Sequence, residues 1–173
     1  MRLTDAQVKR KLELERLLLK KDAPGMFYKF IPYINPSYVR LWFHKAIADH
    51  CQMILDGRIK NLMVFMPPQH GKSEIISRSF PAYALGYNPN LKIVGTSYSA
   101  NLAEQFSRSI QRVIDSPEYQ SIFPDTYLNG SNVRTDVRGY LRNVDIFETV
   151  GHKGFYKAVG VGGSLTGTPV DIA

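Results

Sequence analysis

The sequence predicts an α/β fold in which a doubly wound, mostly parallel sheet is flanked by helices. Apolar runs with strand character alternate along the chain with amphipathic segments of helical period, which is the order typical of parallel sheets. Clusters of glycine and proline separate these segments. The chain has 173 residues, of which 44% are hydrophobic, so it is long enough to bury a core within about one domain.

Composition and charge narrow the functional classes. With 21% charged residues and no apolar run near the roughly 18 residues of a membrane span, a soluble protein without membrane contact is expected. The N-terminus lacks a signal-peptide pattern, which favours the cytoplasm. The net charge of +7 suits a polyanionic partner such as DNA. Cys51 is the single cysteine, which excludes an internal disulfide and predicts a buried helical residue.

Two helices joined by a connector are predicted in the first third of the chain. Thr4 and Gln7 form a capping-box pattern that starts a helix extending to about Lys20. The segment 26–38, "MFYKFIPYINPSY", is aromatic and interrupted by prolines, which favours an irregular connector. Ser37 is predicted to cap a second helix, which ends at an Asp-Gly pair.

Strands and helices alternate in the middle of the chain. The run "LMVFM", residues 62–66, has no helical stripe and predicts a strand buried on both faces. Residues 73–87 predict a helix that Pro81 kinks or shortens. A second strand is predicted within residues 91–99, and residues 100–116 predict an amphipathic helix for which the preceding serine is the cap.

The C-terminal part has weaker patterns. Residues 117–140 predict a short helix followed by an irregular loop. Residues 141–150 and 154–161 alternate in the manner of two hairpin strands around a glycine turn. The glycine-rich segment 162–169 predicts a loop, and residues 170–173 predict the beginning of another strand.

The segment "PPQHGKSE", residues 67–74, combines a predicted strand end, a tight loop and a helix start. This order directs backbone N–H groups and the positive end of the helix dipole at one point, which favours an anion. In a phosphate-binding loop of the form G-x-x-x-x-G-K-[ST], Gly71 allows close backbone approach, Lys72 reaches the β- and γ-phosphates, and Ser73 binds Mg²⁺. Met66 replaces the first glycine of that pattern, and the proline pair restricts the loop entry instead. The alternative is an ordinary helix start.

From His44 onward, about three quarters of the chain resembles the ATPase half of the large terminases, the motors that package DNA into tailed-phage capsids. The resemblance rests on three ordered blocks: "PPQHGKSE", "FPAYALGYNPNLKIVGTSYSANLAEQFSRSIQR" and "FYKAVGVGGSLTGTPVD". It implies a P-loop NTPase fold in which hydrolysis of ATP, with Mg²⁺, drives translocation of double-stranded DNA into a capsid. The partners it implies are DNA, the portal protein, a small terminase subunit and further copies in a ring, all in the host cytoplasm.

The resemblance also implies a set of nucleotide-binding residues. The set consists of Pro68, Gln69, His70, Gly71, Lys72, Ser73 and Glu74 in the loop, together with His44, and Ser73 is also the metal ligand. Lys72 is the principal catalytic residue. An adenine contact is implied from the helix before the loop, by His44 or Trp42, although core packing is the preferred interpretation for Trp42.

The chain departs from the family pattern at residue 69, and this affects which arginine is the catalytic candidate. Relatives often have an arginine where this chain has Gln69, and that arginine touches the transferred phosphate. Arg78, Arg108 and Arg112 are the nearest basic substitutes in sequence, and Arg108 is the catalytic candidate, since phosphoryl transfer commonly recruits an arginine. The alternative is that these helix-surface arginines are structural.

The resemblance further implies that acidic residues needed for hydrolysis lie just beyond "GTPVD". We therefore expect residues 1–36 to form an N-terminal helix and connector and residues 37–173 to form a partial ATPase domain, incomplete at its C-terminus and inactive alone. Two rival functions stay open. One is a helicase-type or other P-loop ATPase, and the other is a non-enzymatic basic module that binds DNA or a capsid.

Overall fold

A computed structural model describes residues 4–134 and 139–173. The chain forms two compact units, Met1–Leu62 and Met63–Ala173. The boundary that the sequence predicts after residue 36 falls inside the first unit. Within the described residues, no helix combines the length and the apolar character needed to cross a membrane.

The first helix of the first unit, α1, spans Asp5–Asp22 and confirms the predicted capping box. The Gln7 N–H donates to the Thr4 hydroxyl at 3.4 Å, and the Thr4 N–H donates to the Gln7 side-chain oxygen at 2.9 Å. These two bonds satisfy N–H groups that a helix start leaves without intrahelical acceptors. No residue of α1 is buried. The helix is therefore defined locally, by its cap, more than by a core.

The predicted connector is wrong, because Phe27–Ile34 forms a second helix, α2. Phe27, Phe30 and Ile31 are each at most 1% exposed, and their spacing of three and four residues places them on one helical face. This face packs against α1 and the helix that follows α2. Burial of the aromatic stripe outweighs the helix-breaking tendency of Pro32, which lies inside α2.

The third helix, α3, spans Trp42–Leu55 and begins later than predicted. Ser37 is not its cap, because its hydroxyl donates to the side chain of Asn35 at 2.7 Å. An imidazole takes that role instead, since the Leu41 N–H donates to Nδ1 of His44 at 3.3 Å. Imidazole is absent from the usual capping residues, so sequence rules favoured the serine.

Cys51 lies in α3 and is 1% exposed, as predicted. Burial raises the pKa of its thiol to about 12, because removal from water disfavours the charged thiolate. Alkylation requires the thiolate, so we expect iodoacetamide at pH 8 to modify the native protein at least about a hundredfold more slowly than the protein unfolded in guanidinium chloride. Mass spectrometry of timed samples measures both rates. Equal rates would contradict a buried thiol.

The second unit contains a three-stranded mixed sheet, so the fold is α/β. Its strands are β1 (Lys92–Ser97), β2 (Ile146–Glu148) and β3 (Phe155–Gly160), in the order β1-β3-β2. β1 and β3 are parallel, whereas β2 and β3 form the predicted antiparallel hairpin. Ile172 makes a parallel bridge with Ile93 on the other edge of β1, consistent with the strand start predicted there.

The predicted buried strand at residues 62–66 is wrong. In the described part of the chain no strand includes these residues, and Met63 and Phe65 are 79% and 84% exposed. An apolar run becomes a strand only when a neighbour completes its hydrogen-bond ladder. Other segments make the bridges at the two edges of the described sheet, Ile172 to Ile93 of β1 and Arg142 to Phe147 of β2, and residues 62–66 bridge to neither edge.

The helix predicted after the loop is present, and the hydrogen-bond pattern changes within its first half. Lys72 and Ser73 are helical, Glu74–Ser79 form a π-helical turn, and α4 spans Phe80–Tyr87. Pro81 cannot donate the next i→i−4 hydrogen bond, and its ring would crowd the carbonyl four residues earlier. The wider π-helical turn directly before it accommodates this proline without ending the helix.

The fifth helix, α5, spans Ala100–Ile114 and packs against β1 and β3. Its predicted cap is confirmed, because the Ser99 hydroxyl accepts from the Leu102 N–H at 3.3 Å. Ile110 and Ile114 are fully buried on its predicted apolar face. This helix also contacts α4 and the π-helical turn, so it connects the sheet to the segment that follows the loop.

A short helix, α6, follows at Pro117–Gln120, as predicted. Tyr119 is fully buried and its hydroxyl donates to the Ala82 carbonyl at 2.9 Å, which joins α6 to α4. Part of the irregular loop predicted after this helix, residues 135–138, lies outside the described residues.

Candidate functional site

The loop at residues 67–73 has a backbone shaped by two residues in the left-handed region. Gln69 has φ 62° and Gly71 has φ 83°. Nδ1 of His70 lies 2.7 Å from the Pro68 carbonyl oxygen. Because a carbonyl only accepts, Nδ1 carries the proton in this bond. The imidazole therefore closes a tight turn over Gln69, and Gly71, in the left-handed region, precedes the first helical residue.

A helix begins immediately after this turn. The Ile75 N–H donates to the Gly71 carbonyl at 3.1 Å, which is the first hydrogen bond of the helix. The N–H groups of the preceding residues have no acceptor within the helix, because a first turn leaves them unsatisfied. Lys72 and Ser73 are exposed at this end. The arrangement provides backbone donors, one cation and one hydroxyl at the positive end of a helix dipole.

The charge of Glu74, in the first turn of this helix, is offset by an ion pair with Arg78. The Glu74 carboxylate accepts from one guanidinium nitrogen of Arg78 at 3.0 and 3.2 Å, and the two side chains are about one quarter and one third exposed. The π-helical turn contains both residues. Pairing with Arg78 reduces the repulsion that the Glu74 charge would exert on an anion at the helix start. It also engages Arg78, one of the alternative catalytic arginines.

Arg108, the catalytic candidate, lies on α5. Its guanidinium pairs with Glu104 at 2.9 Å, and its side chain is 44% exposed. A partly exposed pair on one helix contributes little stability, so Arg108 can be released at small cost. Arg112, further along α5, is exposed. The role of Arg108 stays a prediction.

The carboxyl ends of β1 and β3 lie side by side, where open α/β sheets usually bind ligands. Ser97 pairs in register with Gly160, and the Val161 N–H donates to the Ser97 carbonyl at 3.1 Å. This pairing brings Tyr98, which is 80% exposed, next to the glycine-rich loop. A Cβ atom on Gly160 would lie 2.4 Å from the backbone nitrogen of Ala100. Glycine therefore permits the close approach of β3 to the start of α5.

The glycine-rich loop is attached to the sheet by a residue that the sequence did not single out. Nζ of Lys157, on β3, donates to the Ser164 carbonyl at 3.2 Å and to the Thr168 hydroxyl at 3.3 Å. Gly162 and Gly167 have φ values of 85° and 73°, which only glycine adopts readily. The position of a lysine in the middle of a predicted strand is the one feature of the sequence that could have indicated this role. Its partners are seven and eleven residues away, and only the folded loop brings them together.

The predicted adenine-contact residues lie in the first unit. His44 is 4% exposed and its Nδ1 is used in the cap of α3. The buried face of α3 carries His44, Ala48 and Cys51. Trp42 is two residues from His44, which places it about 200° away around the helix, and it is 84% exposed. The interpretation of Trp42 as a core residue is therefore wrong.

Comparison with known proteins gives one family. Residues 63–173 match the model of a family described as terminase large subunit, T4likevirus-type, N-terminal. The matched segment covers more than half of the chain and includes the loop, the helix after it, the sheet and the glycine-rich loop. No curated protein and no solved structure matches the chain.

Proposed function

The chain belongs to the family of T4likevirus-type terminase large-subunit N-terminal domains, and from this premise we propose that it contributes the ATP-binding part of a viral DNA-packaging motor. In this role, hydrolysis of ATP is coupled to the movement of double-stranded DNA into a capsid. The observation that carries the proposal is the exposed Lys72 at the start of a helix, directly after Gly71 in a left-handed conformation.

The residues of the loop fit a nucleoside triphosphate. Gly71 has no side chain to obstruct the approach of a phosphate to the backbone, and the first N–H groups of the helix supply donors. Lys72 would bind the β- and γ-phosphates, and the Ser73 hydroxyl would hold Mg²⁺. Pro68, Gln69 and His70 would set the loop conformation, while Glu74 stays paired with Arg78. Bound ATP would supply the phosphoryl group whose transfer releases energy.

From the same premise we infer a P-loop NTPase fold with a doubly wound sheet. Three segments of the second unit are consecutive parallel neighbours, which supports this assignment: β3 pairs with β1, and β1 bridges to Ile172. Right-handed crossovers between parallel strands place helices such as α5 on the faces of such a sheet.

The remaining roles belong to the same proposal. Arg108 would stabilise charge on the transferred phosphate, and His44 would act through the helix it caps rather than through an exposed ring. The partners would be double-stranded DNA, bound by phosphate contacts that weaken as salt rises, the portal protein, a small terminase subunit and further copies in a ring. The location would be the host cytoplasm.

Titration of the protein with a fluorescent ATP analogue, in Mg²⁺ and in EDTA, tests the proposal. We expect saturable binding that is tighter with Mg²⁺, because the cation joins the phosphates to the Ser73 hydroxyl. Competition by unlabelled ATP identifies the same site. An absence of saturable binding in a folded sample would contradict the ATPase function and would favour a non-enzymatic DNA- or capsid-binding module.

Gln69→Arg is expected to favour triphosphate over diphosphate by about tenfold, since a charge-assisted hydrogen bond contributes about 1.5–3 kcal/mol. The substitution introduces the arginine that the family resemblance implies at this position, and Gln69 is exposed, so a longer side chain has room. Competition titrations with ATP and ADP measure the ratio of affinities. Gln69→Met is the matched control, because it removes the amide without adding charge. An equal gain for ATP and ADP would exclude γ-phosphate recognition at residue 69.

A further inference from the structure

One face of α1 has exposed leucines. Leu14, Leu17 and Leu18 are spaced by three and four residues, so they share one side of the helix. Their exposed fractions are 52%, 62% and 61%. These three residues form what we call the leucine face. Three adjacent leucines, each more than half exposed, form a contiguous apolar surface rather than scattered apolar residues, and such surfaces mark sites of interaction.

The two ends of the leucine face carry positive charge. Arg10 lies one turn before Leu14, and Lys21 lies one turn after Leu17, so both cations are on this side of the helix. Among the described residues, no ion pair neutralises Arg10 or Lys21. By contrast Lys11, at the flank, is paired with Glu15 at 3.9 Å. The face is therefore apolar at its centre and positive at both ends.

From this pattern we propose that the leucine face docks an amphipathic helix of a partner protein, with apolar residues at its centre and acidic residues at both ends. Such a helix would cover the leucines and place a carboxylate near Arg10 and another near Lys21, which gives both burial and charge complementarity. This interaction surface lies outside the nucleotide-binding loop and does not depend on the proposed ATPase activity.

Charge disfavours a second copy of the chain as the occupant. In an antiparallel pair of α1 helices, Arg10 of each copy would face Lys21 of the other. In a parallel pair, Arg10 would face Arg10 and Lys21 would face Lys21. Both arrangements bring like charges together at the two ends of the contact, which is destabilising.

Charge also disfavours a membrane surface as the occupant. Glu13 lies one turn before Leu17, and Glu15, whose charge Lys11 partly offsets, lies one turn before Leu18, so carboxylates flank the middle of the leucine face. A uniformly anionic surface would meet these carboxylates as well as the two cations. A discrete helix whose acidic residues are confined to its ends avoids them.

Fluorescence anisotropy of two labelled peptides against the full chain tests the proposal. The first is a designed 18-residue helix with a central leucine stripe and glutamates at both ends, and the second has lysines in place of those glutamates. We expect the acidic peptide to bind at least about tenfold more tightly at low salt, with the difference reduced as salt rises. Equal binding of the two peptides would overturn the proposal.

Variants of α1 locate the binding site. Leu17→Gln with Leu18→Gln, which keeps a residue of similar helix propensity, is expected to weaken binding of the acidic peptide at least about tenfold. Arg10→Glu with Lys21→Glu is expected to reverse the preference between the peptides. The matched control is Lys9→Glu with Lys20→Glu, which makes the same change in net charge on the other side of α1 and should alter affinity less than about twofold.

Three further results would overturn the proposal. The first is that the control variant and the variant at Arg10 and Lys21 change the affinity for the acidic peptide equally, in samples whose helix content by circular dichroism is unchanged. The second is concentration-dependent dimerisation in sedimentation equilibrium that the Leu17 and Leu18 variant abolishes, which would identify a second copy as the occupant. The third is sedimentation with anionic phosphatidylserine vesicles that the same variant abolishes, which would identify a lipid surface.

Discussion

Lys72→Ala is expected to weaken binding of the ATP analogue in Mg²⁺ at least about tenfold while leaving the fold intact. Lys72 is exposed at the start of the helix, so the proposed role of its ammonium group is to supply charge to a phosphate, and its removal takes no packing from the core. A charge-assisted hydrogen bond of about 1.5–3 kcal/mol corresponds to a loss of one to two orders of magnitude in affinity. The titration described above measures the loss, and thermal unfolding checks the fold.

Lys153→Ala is the matched control for this prediction. Lys153 is an exposed lysine of the same unit and lies on the turn between β2 and β3. Its removal changes net charge by the same amount and should leave nucleotide affinity within about twofold, because electrostatic effects at a distance are screened. A folded Lys72→Ala protein with unchanged affinity would remove the loop as a phosphate site. A similar loss in both variants would indicate a general effect of net charge.

Gly160→Ala is expected to lower the free energy of unfolding of the second unit by about 1–3 kcal/mol, the usual cost of forcing an added methyl group into packed structure. The new Cβ would lie 2.4 Å from the nitrogen and 2.8 Å from the Cα of Ala100. These are backbone atoms at the start of α5, so no side-chain rotation relieves the overlap. The end of β3 and the start of α5 would have to separate.

Urea unfolding followed by far-ultraviolet circular dichroism measures this effect. Tryptophan fluorescence is unsuitable, since the single tryptophan, Trp42, lies in the first unit. Gly130→Ala is the control, because a Cβ at Gly130 meets nothing within 4 Å and its φ does not require glycine. If the two variants unfold at the same urea concentration, β3 and α5 do not approach as closely as the structure shows.

Local chemistry made several elements predictable from the sequence. The capping box of α1 and the Ser99 cap of α5 each involve residues three apart, so both bonds are encoded within one helical turn. The hairpin of β2 and β3 follows from alternating residues around a glycine turn, and contacts over a short separation again suffice. The tight loop and helix start within residues 67–74 were likewise predicted, because the conformations of the glycine and of the residues after it are set by neighbouring backbone.

Elements that depend on distant partners were not predictable in the same way. Pro32 and the aromatic residues around it suggest a connector, yet the segment becomes α2 because α1 and α3 bury its apolar face. His44 rather than Ser37 caps α3, and its imidazole can do so only because Leu41, three residues before it, directly precedes the first helical residue. In α2 the free energy gained by burying apolar side chains exceeds the cost of unfavourable local helix propensity.

The sequence by itself therefore determined the α/β class, the caps of α1 and α5, the hairpin and the helix start at Lys72, since each rests on residues close together in the chain. Only the tertiary structure decided that residues 62–66 lie outside the described sheet, that Trp42 is exposed, and that Lys157 holds the glycine-rich loop. A strand needs a neighbouring strand, a buried side chain needs a surface that covers it, and Lys157 needs its two acceptors, and in each case the rest of the fold brings the partner close. The periodicity of an apolar segment shows that it can be buried, and the completed packing selects which neighbour buries it.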